Sequence, residues 1–154
     1  MFQWFGKVNF CPHTKVDGFA AHLRAGRLMG STCTACGRLS FPPRADCPAC
    51  RHDAFTFTEL SGRGTVTTFT TINAAPAGFE DQVPFRLGVV DLAEAGRLLA
   101  GFGPTIDPQE IAIDMPVQVV PRLDEESESI KVYYTLEKPG TAWVRTGPAQ
   151  GERA

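Results

Sequence analysis

The chain has 154 residues, enough for one ordinary domain or for two small modules sharing an interface. Its 43% hydrophobic and 21% charged residues are those of a soluble globular protein, and a formal net charge of -2 argues against a general binder of nucleic acid or anionic membrane. The opening MFQWFGKVNF has no basic region followed by an apolar core, and no run approaches the roughly 20 apolar residues of a membrane span, so a cytoplasmic protein with no membrane partner is expected.

Residues 1–32 read as an N-terminal arm. It opens with Phe2, Trp4, Phe5 and Phe10, rings that either pack on the arm's own domain or dock on another chain, since exposed apolar patches mark interfaces. From Asp17 as N-cap, Phe19, Leu23 and Leu28 recur at helical spacing, which predicts a helix ending near Gly30.

Residues 33–50, CTACGRLSFPPRADCPAC, carry the strongest signal. Two C-x-x-C pairs, Cys33/Cys36 and Cys47/Cys50, stand ten residues apart, the pattern of two turns that complete a tetrahedron of thiolates around one soft cation. Gly37 after the first pair suits a backbone that swings to positive φ, and Phe41-Pro42-Pro43 stiffens the link between the turns. Two disulfides would suit a secreted protein, and a redox pair needs a thioredoxin-like context; neither matches this Pro/Gly-rich loop. Structural zinc is the reading, with iron suited to the same four thiolates. The fifth cysteine, Cys11, is left over, as in a reducing compartment; Cys11 and His13 could be read as extra metal ligands, but four thiolates are already available. Zinc on four thiolates would bring the net charge to about -4.

After Cys50 the pattern turns to β. Residues 54–60 (AFTFTEL) alternate, Gly62-Arg63-Gly64 breaks them, and residues 65–72 (TVTTFTTI) resume, as in a barrel strand that bends sharply. A Pro/Gly/Ala loop at residues 73–84 carries Phe79. Residues 85–92 and 97–102 form strands two and three around the turn AEAG. Asp107 ahead of Pro108 predicts a short helical turn within residues 104–114. Residues 117–120 and 130–136 supply strands four and five, flanking an acidic tip of Asp124, Glu125, Glu126 and Glu128. Five short strands with a helix between the third and fourth is the order of an OB-type barrel. The tail, residues 138–154, is anchored by Trp143 and Val144 alone.

The expected fold is therefore mainly β with short helices: an N-terminal helical arm (1–32), a rubredoxin-like zinc ribbon (33–53), a C-terminal five-stranded OB-fold barrel (54–137) and a tail (138–154). Gly26-Arg27-Leu28, C-x-x-C-G, F-P-P-R at 41–44, C-P-x-C at 47–50, ELSGRGTV at 59–66, RLLA at 97–100 and IAIDMPV at 111–117 occur in that order. In these motifs, across about residues 23–137, the chain resembles the zinc-ribbon/OB-fold family long called a domain of unknown function, found beside thiolases and related acyl-CoA enzymes. The resemblance implies an accessory subunit that docks on a thiolase-like catalytic chain in a hetero-oligomer and supplies no catalytic residue; one family member is the small subunit of a thiolase acting on an aromatic succinyl-CoA in anaerobic toluene breakdown.

The residues are compatible with that. Cys11 is the one free thiol, and His22 and His52 lack an obvious partner for nucleophilic catalysis, so no catalytic residue is assigned. Arg24, Arg27, Arg38, Arg44 and Arg51 surround the ribbon while residues 110–137 are acidic, a polarity that can orient a partner or hold the phosphates of a CoA thioester. The loop from Phe79 to Arg86 either lines a pantetheine-sized groove for CoA or packs on the barrel through Phe85, the default for such a ring. Phe2, Trp4, Phe5 and Trp143 are the candidates for partner docking. The competing function is single-stranded nucleic-acid binding, which both modules serve elsewhere, with Arg86, Arg97, Phe85 and Phe102 as the reading surface.

Overall fold

The computed structural model describes residues 14–75, 77, 80, 83–124 and 131–146, with side chains described as far as residue 143. Among the described residues one helix, α1 (Gly18–Arg24), precedes nine strands: β1 (Met29–Cys33), β2 (Leu39–Ser40), β3 (Phe55–Glu59), β4 (Arg63–Ile72), β5 (Phe85–Leu92), β6 (Gly96–Gly101), β7 (Pro116–Asp124), β8 (Lys131–Glu137) and β9 (Val144–Thr146). The first three form an antiparallel sheet in the order β2-β1-β3. The second sheet runs β6-β5-β4-β7-β8, and a bridge from Phe102 to Leu136 brings its two ends together, giving a nearly closed five-stranded barrel.

α1 is shorter than its apolar spacing predicts. After Arg24 the chain turns at Gly26, whose φ is +77°. The Gly26 amide donates to the Leu23 carbonyl (2.9 Å) and the Arg27 amide to the His22 carbonyl (2.9 Å), the paired bonds of a glycine-terminated helix end. Leu28 then packs in the core, but as the approach to β1, and Met29 to Thr32 belong to the ribbon's sheet and not to a helical arm. Trp143 lies over the turn: a Cβ on Gly26 would stand 2.8 Å from its Cδ2. Gly26→Ala therefore meets both a left-handed backbone and an indole ring, and is expected to cost about 1–2 kcal/mol or more in thermal unfolding.

A second difference concerns residues 54–72. The β pattern resumes after Gly62-Arg63-Gly64, but in another sheet: β3 pairs with β1 in the ribbon, and β4 begins the barrel. The expected bent barrel strand is two strands in two sheets. A third concerns residues 104–114. Asp107 does accept from the Gln109 amide through Oδ1 (2.8 Å), and Glu110 N–H bonds the Asp107 carbonyl (2.9 Å), but the segment makes turns and no helix. Ile106 and Ile111 are buried there, holding it across the barrel end. Glu125, Glu126 and Glu128 lie outside the described residues.

Helix, ribbon and barrel share one core. Phe19 of α1, Phe41 of the link between the cysteine pairs, and Tyr134 of β8 form a three-ring contact, with centroids 5.9 Å (Phe19–Phe41), 5.5 Å (Phe41–Tyr134) and 6.4 Å (Phe19–Tyr134) apart. Such pairs add about 0.5–1.5 kcal/mol each to their area burial. Burial pushes the Tyr134 hydroxyl up to about 12. Around the rings lie Leu23, Leu28, Leu60, Val66, Val90, Val117, Leu123, Val132 and Leu136, all buried. No helix among the described residues is long and apolar enough to cross a membrane.

Candidate metal centre

Each cysteine pair ends in the same turn. The Gly37 amide donates to the Cys33 carbonyl (3.0 Å) and the Cys33 amide to the Arg38 carbonyl (2.9 Å). At the second pair the Arg51 amide donates to Cys47 (2.9 Å) and the Cys47 amide to His52 (2.9 Å). Both turns need a left-handed residue after the second cysteine; Gly37 takes φ +71° and Arg51 takes φ +62°. A glycine does this without strain, whereas an arginine bears about 1–2 kcal/mol of it. Arg51→Gly should raise the thermal stability of the metal-loaded protein by about 0.5–1 kcal/mol, once the glycine's greater unfolded entropy is deducted.

The turns bring Cys33, Cys36, Cys47 and Cys50 together with all four Sγ atoms within 4.8 Å of one another. The shortest approaches cross between the pairs, Cys33–Cys50 at 3.6 Å and Cys36–Cys47 at 3.5 Å. Ligands about 2.3 Å from a tetrahedral metal are roughly 3.8 Å apart, so the cluster fits one such ion. The backbone helps form the thiolates. Amides of Cys50 and Ala49 point at the Cys47 sulfur and hold its thiol at about 6, and the Cys36 and Ala35 amides lower Cys33 likewise. At Cys50 the His52 amide favours the thiolate but is outweighed by burial and by the three neighbouring sulfurs, which push the thiol up to about 12. A metal ion is the counter-charge that lets all four ionise together.

The other sequence-predicted residues scatter. Arg38 and Arg44 line a small recess beside the cysteines with Asp46 and His52, and the Arg44 amide donates to Ser31 Oγ (2.9 Å). Arg24 is exposed on the last turn of α1. Arg27 is taken by Glu59 across to β3, Nη2–Oε2 3.0 Å. Arg86 lies elsewhere, in an open cleft of about 1030 Å³ at the barrel end, together with Phe85, Phe102, Tyr133 and the Lys138–Glu110 ion pair. Trp143 is half-buried against the core. Phe2, Trp4, Phe5, Cys11, His13 and Phe79 lie outside the described residues. His22 packs edge-on against Phe57 at 4.9 Å, and burial, aided by Arg27, lowers its pKa.

One buried polar cluster was not foreseen. Glu137 is wholly buried and pairs with Arg122, itself 4% exposed. The carboxylate also accepts from the Thr105 amide (3.0 Å) and hydroxyl (2.5 Å) and from the Thr135 hydroxyl (2.5 Å), and Arg122 Nε donates to Thr135 Oγ1 (3.0 Å). A Cβ on Gly103 would fall on Glu137 Oε1, so a glycine is needed there for close approach. This cluster ties residues 103–105 to the end of β8, behind the wall of the cleft.

Residues 20–56 match the family described as the ChsH2 rubredoxin-like zinc ribbon domain, and residues 57–122 match the ChsH2 C-terminal OB-fold domain. A "DUF35 domain-containing scaffold protein" of Methanocaldococcus jannaschii is 34% identical over 111 residues, 70% of this chain and 77% of that protein. The "Benzoylsuccinyl-CoA thiolase subunit BbsA" of Thauera aromatica is 36% identical over 77 residues, 50% of this chain and 52% of that one. Among solved structures, the chain is similar in fold to one titled "Ltp2-ChsH2(DUF35) aldolase", with TM-score 0.66 and 23% identity over 84% of this chain and 98% of that chain.

Proposed function

Because the chain belongs to the DUF35 family of ChsH2-type zinc-ribbon and OB-fold proteins, we propose that it is a non-catalytic zinc-binding scaffold subunit that docks on a thiolase-type enzyme and supports carbon–carbon bond cleavage or formation on a CoA thioester. The observation that carries this reading is the closed four-sulfur cluster. All four positions of a tetrahedral ion are filled by protein thiolates, which leaves none for substrate or water, so the ion's contribution is rigidity. That rigidity reaches the barrel through Phe41, Phe19 and Tyr134. The names of the relatives, a scaffold protein and a thiolase subunit, point the same way.

Within this reading Arg38 and Arg44, which both line the ribbon recess, are the arginines best placed to meet CoA phosphates, because a guanidinium fork donates bidentately. Arg27 is already engaged by Glu59. The nucleic-acid alternative has less support: Arg97 is paired with Asp91, and the outward positions beside it are Val89 and Leu99. The test is co-expression with the thiolase-type chain of the source organism, followed by size-exclusion chromatography with light scattering and a thiolysis assay. A stoichiometric complex whose thiolysis depends on this chain is expected. Co-migration with single-stranded oligonucleotide at low salt, and not with the thiolase, would overturn the reading.

A further inference from the structure

Two of the arginines whose side chains are described are not exposed, Arg122 and Arg86. Arg122 is buried on Glu137. Arg86 is half-buried, and among the described residues no carboxylate or other acceptor pairs with its guanidinium. Arg38, Arg44, Arg51 and Arg63 have no ion pair among the described residues either, but they are exposed, and water fills their donors. A partly desolvated guanidinium with no acceptor is costly, so what Arg86 faces matters.

It faces the mouth of the barrel. β5 is regular, and Arg86 shares its inward face with Gly88, Val90 and Leu92, all buried, as the last residue of that row. Just beyond β6, the Phe102 amide donates to the Arg86 carbonyl (3.2 Å), and the Phe102 ring lies over Gly88, where a Cβ would meet it at 2.8 Å. Both residues line the open cleft of about 1030 Å³, with Tyr133 and Tyr134 of β8. That size is at the upper end of small-molecule sites, about 300–1,000 Å³. One wall is fixed in advance, because the Thr105 amide and hydroxyl both donate to buried Glu137. The other charges lining the cleft are committed: Lys138 pairs with Glu110 (2.7 Å), and Asp107 accepts from the Gln109 amide (2.8 Å). One positive charge is left over among aromatic rings.

We infer that this cleft binds a small organic monocarboxylate with a flat, apolar body, and that Arg86 is the residue that takes the carboxylate. A guanidinium fork matches two carboxylate oxygens, and the rings of Phe102 and Tyr133 suit a flat apolar body. A phosphate monoester fits less well, because its nearly double charge would face Asp107 and Glu110 with a single free cation to meet it. The neutral pantetheine arm of a CoA thioester would leave Arg86 without an acceptor. The cleft thus differs in ligand and in place from the ribbon recess of Arg38 and Arg44.

The experiment titrates the metal-loaded full chain with 3-phenylpropionate, with its neutral amide and with phenyl phosphate, read by calorimetry and by the Arg86 Nε–H resonance. The carboxylate is expected to bind with a Kd of about 1 mM or below and to shift that resonance. The amide and phenyl phosphate should bind at least about tenfold more weakly. Arg86→Gln should lose at least about tenfold in affinity for the carboxylate at unchanged melting temperature, since no ion pair is broken, and Arg86→Lys should recover only part of it. No saturation by about 10 mM, equal affinity for the amide, or an unmoved Arg86 resonance overturns the inference, and the wild-type resonance decides even where a variant is unstable. Tighter binding of phenyl phosphate overturns the choice of carboxylate. An Arg86→Gln chain that binds the carboxylate unchanged, yet binds the co-expressed thiolase-type chain more weakly, assigns Arg86 to the partner and overturns the ligand site.

Discussion

Replacing any one of Cys33, Cys36, Cys47 or Cys50 with serine is expected to release the metal and unfold the ribbon. Structural zinc contributes on the order of 10–16 kcal/mol in small zinc peptides, as much as the whole stability of an ordinary domain. The ribbon has little else: β2 is two residues long, and the link between the cysteine pairs contributes Phe41 to the core with Leu39 packed against it. Without the ion, the sulfurs crowded within 4.8 Å cannot all be thiolates, and the turns that aim them lose their purpose. Because Phe41 touches Phe19 and Tyr134, the loss should extend to α1 and lower the barrel's cooperativity while leaving most of its strands in place. Elemental analysis would show the metal falling from one equivalent to none, and near-ultraviolet circular dichroism would lose the aromatic signal before the far-ultraviolet strand signal. Cys11→Ser is the contrast: it should keep one equivalent of metal. Loss of metal in that variant would mean that Cys11 is a ligand and that the four-cysteine assignment is wrong.

The metal cluster is legible in the sequence because it is local. A C-x-x-C turn fixes where its own sulfurs point, and ten residues between two turns leave little choice of partner. Even so, only one of the two turns announces its left-handed residue. Gly37 announces a left-handed residue, but Arg51 in the equivalent place does not, and only the alignment of CTACGR with CPACRH could have shown it. The barrel strands were legible from alternation and turn residues. Their partners were less so: residues 54–60 and 65–72 are β-patterned on both sides of Gly62-Arg63-Gly64, and nothing in that break says that the chain passes there from the ribbon's sheet to the barrel. Met29 to Cys33 is too rich in small and polar residues to read as a strand, and becomes one because β3 and β2 flank it on both sides.

The pair Arg122–Glu137 was illegible because each half looks like a surface charge next to apolar neighbours, and only the β7–β8 register makes them meet. Arg122 stands opposite Tyr133; with a period of two, Tyr133, Thr135 and Glu137 share a face, and the long arginine runs along it past Thr135 to the carboxylate. Removing one partner leaves a charge buried and unpaired. Arg122→Met and Glu137→Leu are each expected to cost about 3–5 kcal/mol in urea unfolding, whereas the double substitution should recover much of that loss, because an apolar pair needs no counter-charge. Glu137→Leu carries an added cost, since Thr105 and Thr135 then lose their acceptor. The same cluster sets a pH dependence. Burial pushes the Glu137 carboxyl up, but the bonds from Thr105, Thr135 and Arg122 outweigh it and hold its pKa below the ordinary carboxylate value. A carboxylate depressed in the folded state stabilises the fold at pH above its unfolded pKa, near 4.5, and that contribution is lost as pH falls through its lower, folded value. Wild-type stability should thus decline below about pH 4.5, more steeply than that of the Arg122→Met/Glu137→Leu double variant, which has no such carboxylate to protonate. Equal acid sensitivity in the two proteins would show that other carboxylates govern the decline. Single substitutions costing under about 1 kcal/mol would show that water reaches the pair and that the 103–105 segment is not clamped to β8.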